Sequence, residues 1–241
     1  MARILVVDDD STSLELTQKA LEQSGHDVIC ALSGKDAVSG LSADHAIDII
    51  ITDIALPVMT GFQLLSYLKA DPQLSWIPVV LCTDKTDAAS VKKGIKLGAA
   101  EYITKPIDRS TLSNKVESAL TRAPGAVLVV DDEELLRDLL RKALGRAGFR
   151  VRLAGSGAEA LEILQSHRIS IMLADIKMPQ MSGIELLTEV KEKHPTVPVL
   201  LMTGHGGDYS EDEMLEAGAD GYIAKPFKNM EIISLVRSLV P

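Results

Sequence analysis

Short apolar runs alternate with longer stretches of helical periodicity along the whole chain. The runs around Val6, Ile50 and Val80 are continuously apolar and lack the alternation of a half-exposed strand. This pattern is typical of parallel strands that are covered on both faces. In the first half it predicts strands at 3–7, 27–31, 48–52, 79–83 and 102–104. The helices predicted between and after these strands span 14–24, 34–43, 61–70, 88–97 and 109–122.

The second half repeats the first at a distance of about 120 residues, which indicates a duplicated domain and not a short structural repeat. Three motifs recur in the same order: 4–10 as 127–133, 53–57 as 175–179, and 102–106 as 222–226. The second half has predicted strands at 127–130, 150–154, 169–174, 199–203 and 221–223, and predicted helices at 134–147, 157–167, 183–193, 210–217 and 230–239.

Five βα units in each copy predict an α/β fold of two tandem, doubly wound (βα)5 domains, each with a five-stranded parallel sheet. We expect the first domain to span 1–122 and the second to span 126–241. The segment 123–125 between them is a short linker, which predicts that the two domains are closely coupled.

Composition narrows the class of protein. The net charge of −9 is shared by both halves and no basic cluster is set aside for phosphates, so we expect no direct nucleic-acid binding. No apolar run approaches the roughly 20 residues that span a bilayer, and the N-terminus does not resemble a signal peptide. Cys30 and Cys82 lie in apolar stretches, where we expect buried free thiols. These features together predict a cytoplasmic protein.

Polar residues stand at the ends of the predicted strands in both copies. In the first copy Asp8 and Asp9 follow the first strand, Asp53 ends the third, Thr83 ends the fourth, and Lys105 follows the fifth. The second copy has the same residue types at Asp131, Asp132, Asp175, Thr203 and Lys225. Because the carboxyl ends of parallel strands form the ligand-binding edge of such a sheet, we expect each set to converge.

Three carboxylates in one crevice repel one another. At 4 Å and an effective dielectric near 20, each pair costs about 4 kcal/mol. One lysine and one hard divalent cation would offset this repulsion, and Mg²⁺ takes carboxylate, carbonyl and water oxygens as ligands. The sequence therefore predicts a magnesium site in each copy.

The order Asp-Asp, Asp, Thr, Lys-Pro resembles the CheY-like receiver domain of bacterial two-component response regulators, a flavodoxin-like fold, in two tandem copies. The resemblance implies that Asp53 and Asp175 accept a phosphoryl group from the phosphohistidine of a histidine kinase. The implied Mg²⁺ ligands are Asp8, Asp9, Asp53 and the carbonyl of Ala55 in the first copy, and Asp131, Asp132, Asp175 and the carbonyl of Lys177 in the second.

The resemblance also implies roles for the remaining residues of the set. Thr83 and Thr203 would hydrogen-bond the phosphoryl oxygens, Lys105 and Lys225 would pair with the phosphoryl charge, and Tyr102 and Tyr222 would rotate inward as switch residues. The peptide bonds before Pro106 and Pro226 are expected to be cis, as in similar domains.

The function implied is that of a response regulator in a two-component phosphorelay. It would signal to a protein partner through a surface change that depends on phosphorylation. The expected partners are a histidine kinase or phosphotransfer protein and a downstream protein that the sequence does not name. We expect a phosphoacceptor and not an enzyme, with slow autophosphatase activity at most. A candidate dimer surface is formed by the fourth helix, fifth strand and fifth helix of a domain.

One alternative stays open. The chain could be a receiver-containing fragment of a larger protein, such as a diguanylate cyclase or a hybrid histidine kinase, whose output domain is missing. The length of the native gene product would distinguish these two interpretations.

Single residues of the set also have ordinary interpretations. An aspartate pair after a strand can simply cap a helix, and a lone threonine, Lys-Pro pair or tyrosine is commonly structural. Recurrence of the complete set favours the receiver interpretation. We expect Gly61 and Gly183 to serve loop geometry ahead of a helix, without a chemical role. His26 and His205 have no ligand-like companions, and we expect neither to bind a metal.

The two copies differ beside the threonine. Thr203 is followed by Gly204, the small residue usual in receivers, whereas Thr83 is followed by Asp84. A carboxylate there could repel the phosphoryl group or rearrange the metal site. We therefore hypothesise that the second domain is the better phosphoacceptor. The alternative is that Asp84 points to solvent without effect.

The fourth helices carry opposite charges. The segment 85–97 has a net charge of +3, and the segment 208–217 has a net charge of −5. Opposite charges favour partner choice and fast encounter. This difference suggests that the two faces bind different partners, or bind each other within a dimer. Ordinary solvated helix faces are the alternative.

Overall fold

The computed structural model describes residues 1–43, 47–84, 88–204 and 211–240. The chain divides into two compact units, Met1–Ala123 and Pro124–Pro241. This division falls within the predicted linker 123–125. The ends of that linker and the close coupling of the two domains stay predictions.

The first unit is a parallel five-stranded sheet between two layers of helices. Its strands are β1 (Arg3–Val7), β2 (Asp27–Ala31), β3 (Ile49–Asp53), β4 (Val79–Thr83) and β5 (Glu101–Thr104). Its helices are α1 (Ser11–Glu22), α2 (Gly34–Ala43), α3 (Gly61–Ala70), α4 (Ala88–Leu97) and α5 (Arg109–Arg122). The strand order is β2-β1-β3-β4-β5, and every neighbouring pair is parallel. The order reverses beside β1, as in doubly wound folds.

The second unit repeats this topology. Its strands are β6 (Ala126–Val130), β7 (Val151–Ala154), β8 (Ile169–Asp175), β9 (Val199–Thr203) and β10 (Gly221–Ala224). Its helices are α6 (Glu134–Arg146), α7 (Gly157–Ser166), α8 (Gly183–Lys193), α9 (Glu211–Glu216) and α10 (Asn229–Leu239). The order β7-β6-β8-β9-β10 is again fully parallel. The predicted α/β fold of two doubly wound domains is therefore confirmed.

The first helix begins earlier than its apolar periodicity predicts. It starts at Ser11 and not at residue 14, because the side chain of Asp10 caps it by accepting the N–H of Thr12 at 2.9 Å. The first turn is polar, so a prediction based on apolar spacing misses it. The predicted helix start at residue 210 lies outside the described residues.

The central strands confirm the meaning of the continuous apolar runs. Alternate side chains of β1, β3 and β4 enter two different cores, one under α1 and α5 and the other under α2 and α3. All five residues of β3 and of β4 are buried. Full burial of an aliphatic side chain contributes about 1.5–3 kcal/mol, so the strands that carry the site are well anchored in the core.

The prediction that both cysteines are buried is wrong for Cys30. Cys30 is exposed because β2 is the edge strand of its sheet, and its thiol donates to Gln18 Oε1 at 3.4 Å. Cys82, on the inner strand β4, is buried as predicted. Burial raises the pKa of the Cys82 thiol to about 12, so it stays protonated and unreactive at neutral pH.

The described helices are too short or too polar to cross a membrane.

Candidate functional site

The sheet order brings the polar residues of the first unit to one edge. Asp8 directly follows β1, Asp53 is the last residue of β3, Thr83 is the last of β4, and Lys105 follows β5. Since β1, β3, β4 and β5 are consecutive neighbours in the sheet, their carboxyl ends lie side by side. The predicted convergence therefore occurs, and the topology is its cause.

Three carboxylates meet at this edge. One oxygen from each of Asp8, Asp9 and Asp53 lies within 4.8 Å of the other two. Asp8 and Asp53 are buried, whereas Asp9 is exposed. Lys105 donates from Nζ to Asp8 Oδ2 at 2.9 Å and also to Asp53 Oδ2. One cationic side chain therefore contacts two of the three carboxylates.

The second unit builds the same cluster from its own residues. Carboxylate oxygens of Asp131, Asp132 and Asp175 lie within 4.8 Å of one another, and Asp132 is the exposed member. Lys225 Nζ lies 2.7 Å from Asp131 Oδ2 and 3.0 Å from Asp175 Oδ1. Both copies of the domain therefore keep this arrangement.

Burial and hydrogen bonding set the ionisation of these groups. Burial alone would lower the pKa of Lys105, but its hydrogen bonds to Asp53 and Asp8 outweigh that effect and raise its pKa. The same balance raises the pKa of Lys225. Burial raises the pKa of Asp175, and the contact with Lys225 offsets this only in part. Both lysines are therefore charged at neutral pH.

The donor set fits a hard divalent cation. Each cluster offers oxygen ligands from three carboxylates, one of which is exposed. Three carboxylates with one lysine leave each cluster with a net negative charge, which suits such a cation. The N–H of Ala55 donates to Asp53 Oδ1 at 2.9 Å, which holds this loop beside the cluster. The ligand roles of the Ala55 and Lys177 carbonyls stay predictions. Within the described residues, these two clusters are the groups of acidic, histidine or cysteine side chains that could hold a metal. His205 lies outside those residues.

The comparison with known families agrees with this geometry. The family model described as the response regulator receiver domain matches residues 4–117 and 127–237. The chain belongs to the response regulator receiver family. Receiver domains bind Mg²⁺ at an acidic pocket and interact with histidine kinases or phosphotransfer proteins.

The three proteins described next are each similar to one receiver unit. The transcriptional regulatory protein SrrA of Staphylococcus aureus is 36% identical over 114 residues, which is 47% of this chain and 47% of SrrA. The chain thus spans about half the length of the curated relatives it matches. A receiver domain protein from Clostridium thermocellum is 31% identical, with a TM-score of 0.48, over 51% of this chain and 96% of that one. Vibrio cholerae CheY4 is 28% identical, with a TM-score of 0.47, over 49% and 98%.

The threonines occupy equivalent places in both receiver units. In the strand register Cys82, the residue before Thr83, pairs with Asp53. Met202, the residue before Thr203, pairs with Asp175 in the same way. Thr83 is buried, whereas Thr203 is half-buried and donates from Oγ1 to the carbonyl of the next residue at 3.3 Å. Both therefore stand at the sheet edge that carries the aspartates.

The tyrosines differ between the receiver units. Tyr102 donates its hydroxyl to the carbonyl of Ser90 at 3.0 Å and passes over Gly94, where a Cβ would overlap that hydroxyl. It thereby connects β5 with α4. At the position that matches Gly94 the second unit has Met214, which is buried, and Tyr222 is half-buried against the same core. The switch role of both tyrosines stays a prediction.

The peptide bonds Lys105–Pro106 and Lys225–Pro226 are cis, as predicted.

Sequence reasoning missed a positioning role for two glycines. A Cβ on Gly61 would collide with the carbonyl oxygen of Asp53 and lie 3.0 Å from the Cα of Ile54. Gly183 has the same relation to Asp175. In each unit α3 or α8 begins against the backbone of the central aspartate, and only glycine leaves room for it. The recurrence of the two glycines was the available signal.

The loop between β3 and α3 holds a second feature that the sequence does not reveal. Val58 has a φ of 64°, and Gln180 at the matching position has a φ of 68°. A left-handed conformation is unusual for a β-branched residue. The same turn therefore follows the central aspartate in both units, whichever residue occupies it.

Proposed function

We propose that Asp53 and Asp175 are phosphoacceptors of a cytoplasmic two-component phosphorelay protein, with the phosphohistidine of a histidine kinase or phosphotransfer protein as the donor. One observation carries this proposal. In both units a buried aspartate at the end of the central strand meets two further carboxylates and a lysine from the end of the fifth strand. A structural salt bridge would need one carboxylate, not three.

The proposed reaction is a transfer between two nucleophiles. A carboxylate oxygen of Asp53 bonds to phosphorus while the bond from phosphorus to the histidine nitrogen breaks, and the imidazole takes up a proton. Lys105 holds the reacting carboxylate in place beforehand and pairs with the transferred phosphoryl group afterwards. Asp8 and Asp9, with the carbonyl of Ala55, would hold Mg²⁺, which shields the negative charge of the incoming group.

The output step would use the contact from the fifth strand to the fourth helix. Phosphorylation adds a charge of about −1.5 to −2 at the sheet edge. Thr83 stands at that edge, and Tyr102 already contacts the α4 backbone. We infer that a shift of Thr83 toward the phosphoryl oxygens changes the space open to Tyr102 and so alters the surface of α4, β5 and α5.

Intact-mass spectrometry tests the reaction directly. The full chain is incubated with a small-molecule phosphodonor, with Mg²⁺ or with a chelator. We expect a gain of one or two phosphoryl groups that needs Mg²⁺ and is lost under alkaline conditions that hydrolyse acyl phosphates. A chain that gains no phosphoryl group with Mg²⁺ present would contradict the proposal.

We predict that Asp84→Gly speeds phosphorylation of Asp53 about fivefold. Asp84 is exposed and lies outside the acidic cluster of the described residues, so it acts through repulsion of the donor and not through the metal site. Two unit charges 4 Å apart in water interact by about 1 kcal/mol, which corresponds to this factor. The rate is measured in an Asp175→Asn background.

The reciprocal change is the matched control for Asp84. Gly204 is exposed at the equivalent position, and Gly204→Asp is expected to slow phosphorylation of Asp175 by a similar factor. Unchanged rates in both variants would favour the alternative that Asp84 simply faces solvent.

The output surfaces of the two units differ in chemistry. In the first, Glu101 pairs with Lys115 at 2.7 Å and with Arg122 at 2.9 Å. In the second, the equivalent surface has an open, shallow depression of about 630 Å³ lined by Leu215, Gly221, Tyr222, Ile223, Ala224, Glu231 and Leu235. This contrast supports the proposal that the two faces bind different downstream partners.

The opposite charges of the segments 85–97 and 208–217 also support different partners for the two faces. Three of the charged residues in these segments, Lys85, Asp87 and Asp208, lie outside the described part of the chain. Lys93 is described, and its Nζ lies 4.5 Å from the ring centre of Phe62. A basic α4 and an acidic α9 would also allow the first unit of one molecule to bind the second unit of another.

We predict that reversing charge on α9 weakens dimerisation about tenfold. Asp212→Lys with Glu216→Lys removes the attraction to the basic α4 of a second molecule. Glu162→Lys on α7, an exposed site on another helix, is the control. Light scattering across a concentration series measures the dimer, at low and high salt. An unchanged dimer, or a chain that stays monomeric when phosphorylated, would exclude this interface.

A further inference from the structure

Among the described residues, three groups donate hydrogen bonds to the carboxylate of Asp8. The N–H of Asp10 donates to Oδ1 at 3.0 Å, Lys105 donates to Oδ2 at 2.9 Å, and the hydroxyl of Ser13 donates to the same Oδ2 at 2.8 Å. Ser13 is half-buried in the first turn of α1. A carboxylate offers about four lone-pair directions, so three are filled and one remains for a cation.

The second unit lacks the serine. The chain position that matches Ser13 is Leu136, which packs against the core. The described donors to Asp131 are the N–H of Glu133, at 2.9 Å from Oδ1, and Lys225, at 2.7 Å from Oδ2. The carboxylates Asp8 and Asp131 thus occupy equivalent places but differ by one neutral hydrogen bond.

We propose that Ser13 is a positioning residue that orients Asp8 for Mg²⁺ and gives the first unit the higher Mg²⁺ affinity of the two. This inference rests on the proposed function of the cluster. A hydroxyl donor fixes the direction of a carboxylate without adding positive charge beside an entering cation. Lysine orients the carboxylate too, but its ammonium repels that cation. Hydrogen bonds to a ligating carboxylate typically change metal affinity 10–100-fold.

The Ser13 hydroxyl holds Asp8 in place independently of Lys105, and the second unit has a leucine at the matching position. Ser13 is held by the α1 backbone, which Asp10 caps, so its hydroxyl stays near Asp8 when Lys105 moves. Among the described residues of the second unit, Lys225 is the side-chain donor to Asp131. Displacement of that lysine by a cation or a phosphoryl group leaves, of the described donors, the backbone N–H of Glu133.

A titration with MgCl₂, followed by two-dimensional NMR of the full chain without any phosphodonor, tests this inference. The amides of Asp9 and Ala55 report on the first unit, and those of Asp132 and Lys177 report on the second in the same sample. We expect Ser13→Ala to raise the Mg²⁺ dissociation constant of the first unit about tenfold. The value for the second unit should stay within about twofold.

Two further variants separate the hydroxyl from a general effect on the helix. Ser13→Thr keeps the hydroxyl and should restore affinity to within about twofold of wild type, whereas Ser11→Ala, the same exchange at an exposed site of α1, should leave it unchanged. If Ser13→Ala binds like wild type, or if Ser13→Thr does not restore binding, the inference is wrong. If Mg²⁺ moves the amides of neither unit in the wild-type chain, the proposed function fails with it.

Discussion

The double variant Asp53→Asn, Asp175→Asn is expected to gain no phosphoryl group from a small-molecule donor with Mg²⁺. Asparagine keeps the shape of each side chain but removes the charged oxygen that attacks phosphorus. Lys105 and Lys225 keep their contacts with Asp8 and Asp131, so each cluster retains one ion pair. Intact-mass spectrometry measures the result. A phosphoryl group that remains on the double variant would place the reaction on another residue.

The single variants decide how the two units share the reaction. Because Asp84 stands beside Thr83 where the second unit has Gly204, we expect Asp175 to be phosphorylated faster than Asp53. Asp175→Asn should therefore remove most of the early phosphoryl gain, and Asp53→Asn should remove little of it. Equal early gains in the two single variants would contradict this asymmetry. They would leave the phosphoacceptor roles intact.

Gly61→Ala is expected to destabilise the first unit by about 1–3 kcal/mol, the usual cost of overpacking. The added methyl would collide with the carbonyl of Asp53, and a backbone carbonyl cannot move aside as a flexible side chain can. Relief of the collision must shift either α3 or the end of β3. Since Asp53 lies on β3, phosphorylation of the first unit should fall as well.

Helical glycines with open space around an added Cβ provide the matched control. Gly40 on α2 has no atom within 4 Å of its added Cβ, so Gly40→Ala should be neutral or stabilise by up to about 1 kcal/mol. Gly183→Ala and Gly145→Ala form the same pair in the second unit. Hydrogen exchange in increasing urea gives the free energy of unfolding of each unit separately. A Gly61→Ala chain as stable as the Gly40→Ala chain would refute the argument.

Much of the fold and of the site could be predicted because both depend on local patterns. The continuous apolar runs predicted the inner strands, and the alternation of strands and helices predicted a parallel sheet. Asp8, Asp53 and Lys105 were then predicted to converge, although Asp8 and Lys105 stand almost a full domain apart in the chain. The cis Lys–Pro bonds came from the family resemblance and are present.

Other features could not be predicted because they depend on neighbours that are distant in the chain. The exposure of Cys30 follows from the edge position of β2, which an apolar run alone does not reveal. The early start of α1 comes from a polar cap, and the need for Gly61 comes from the approach of α3 to the Asp53 carbonyl. The contact from Ser13 to Asp8 lies in the first turn of a helix whose start was misplaced.

The sequence by itself determined that this chain has two copies of one receiver unit, because residue types and their order repeat through both halves. It also determined which residues differ between the copies, including Asp84 against Gly204. Only the tertiary structure decided what those residues contact. Hydrogen bonds and steric contacts act over about 3–4 Å, a distance that spacing along the chain does not specify. For that reason Ser13, which has no distinctive pattern in the sequence, emerged as a residue of the site only from its 2.8 Å contact with Asp8.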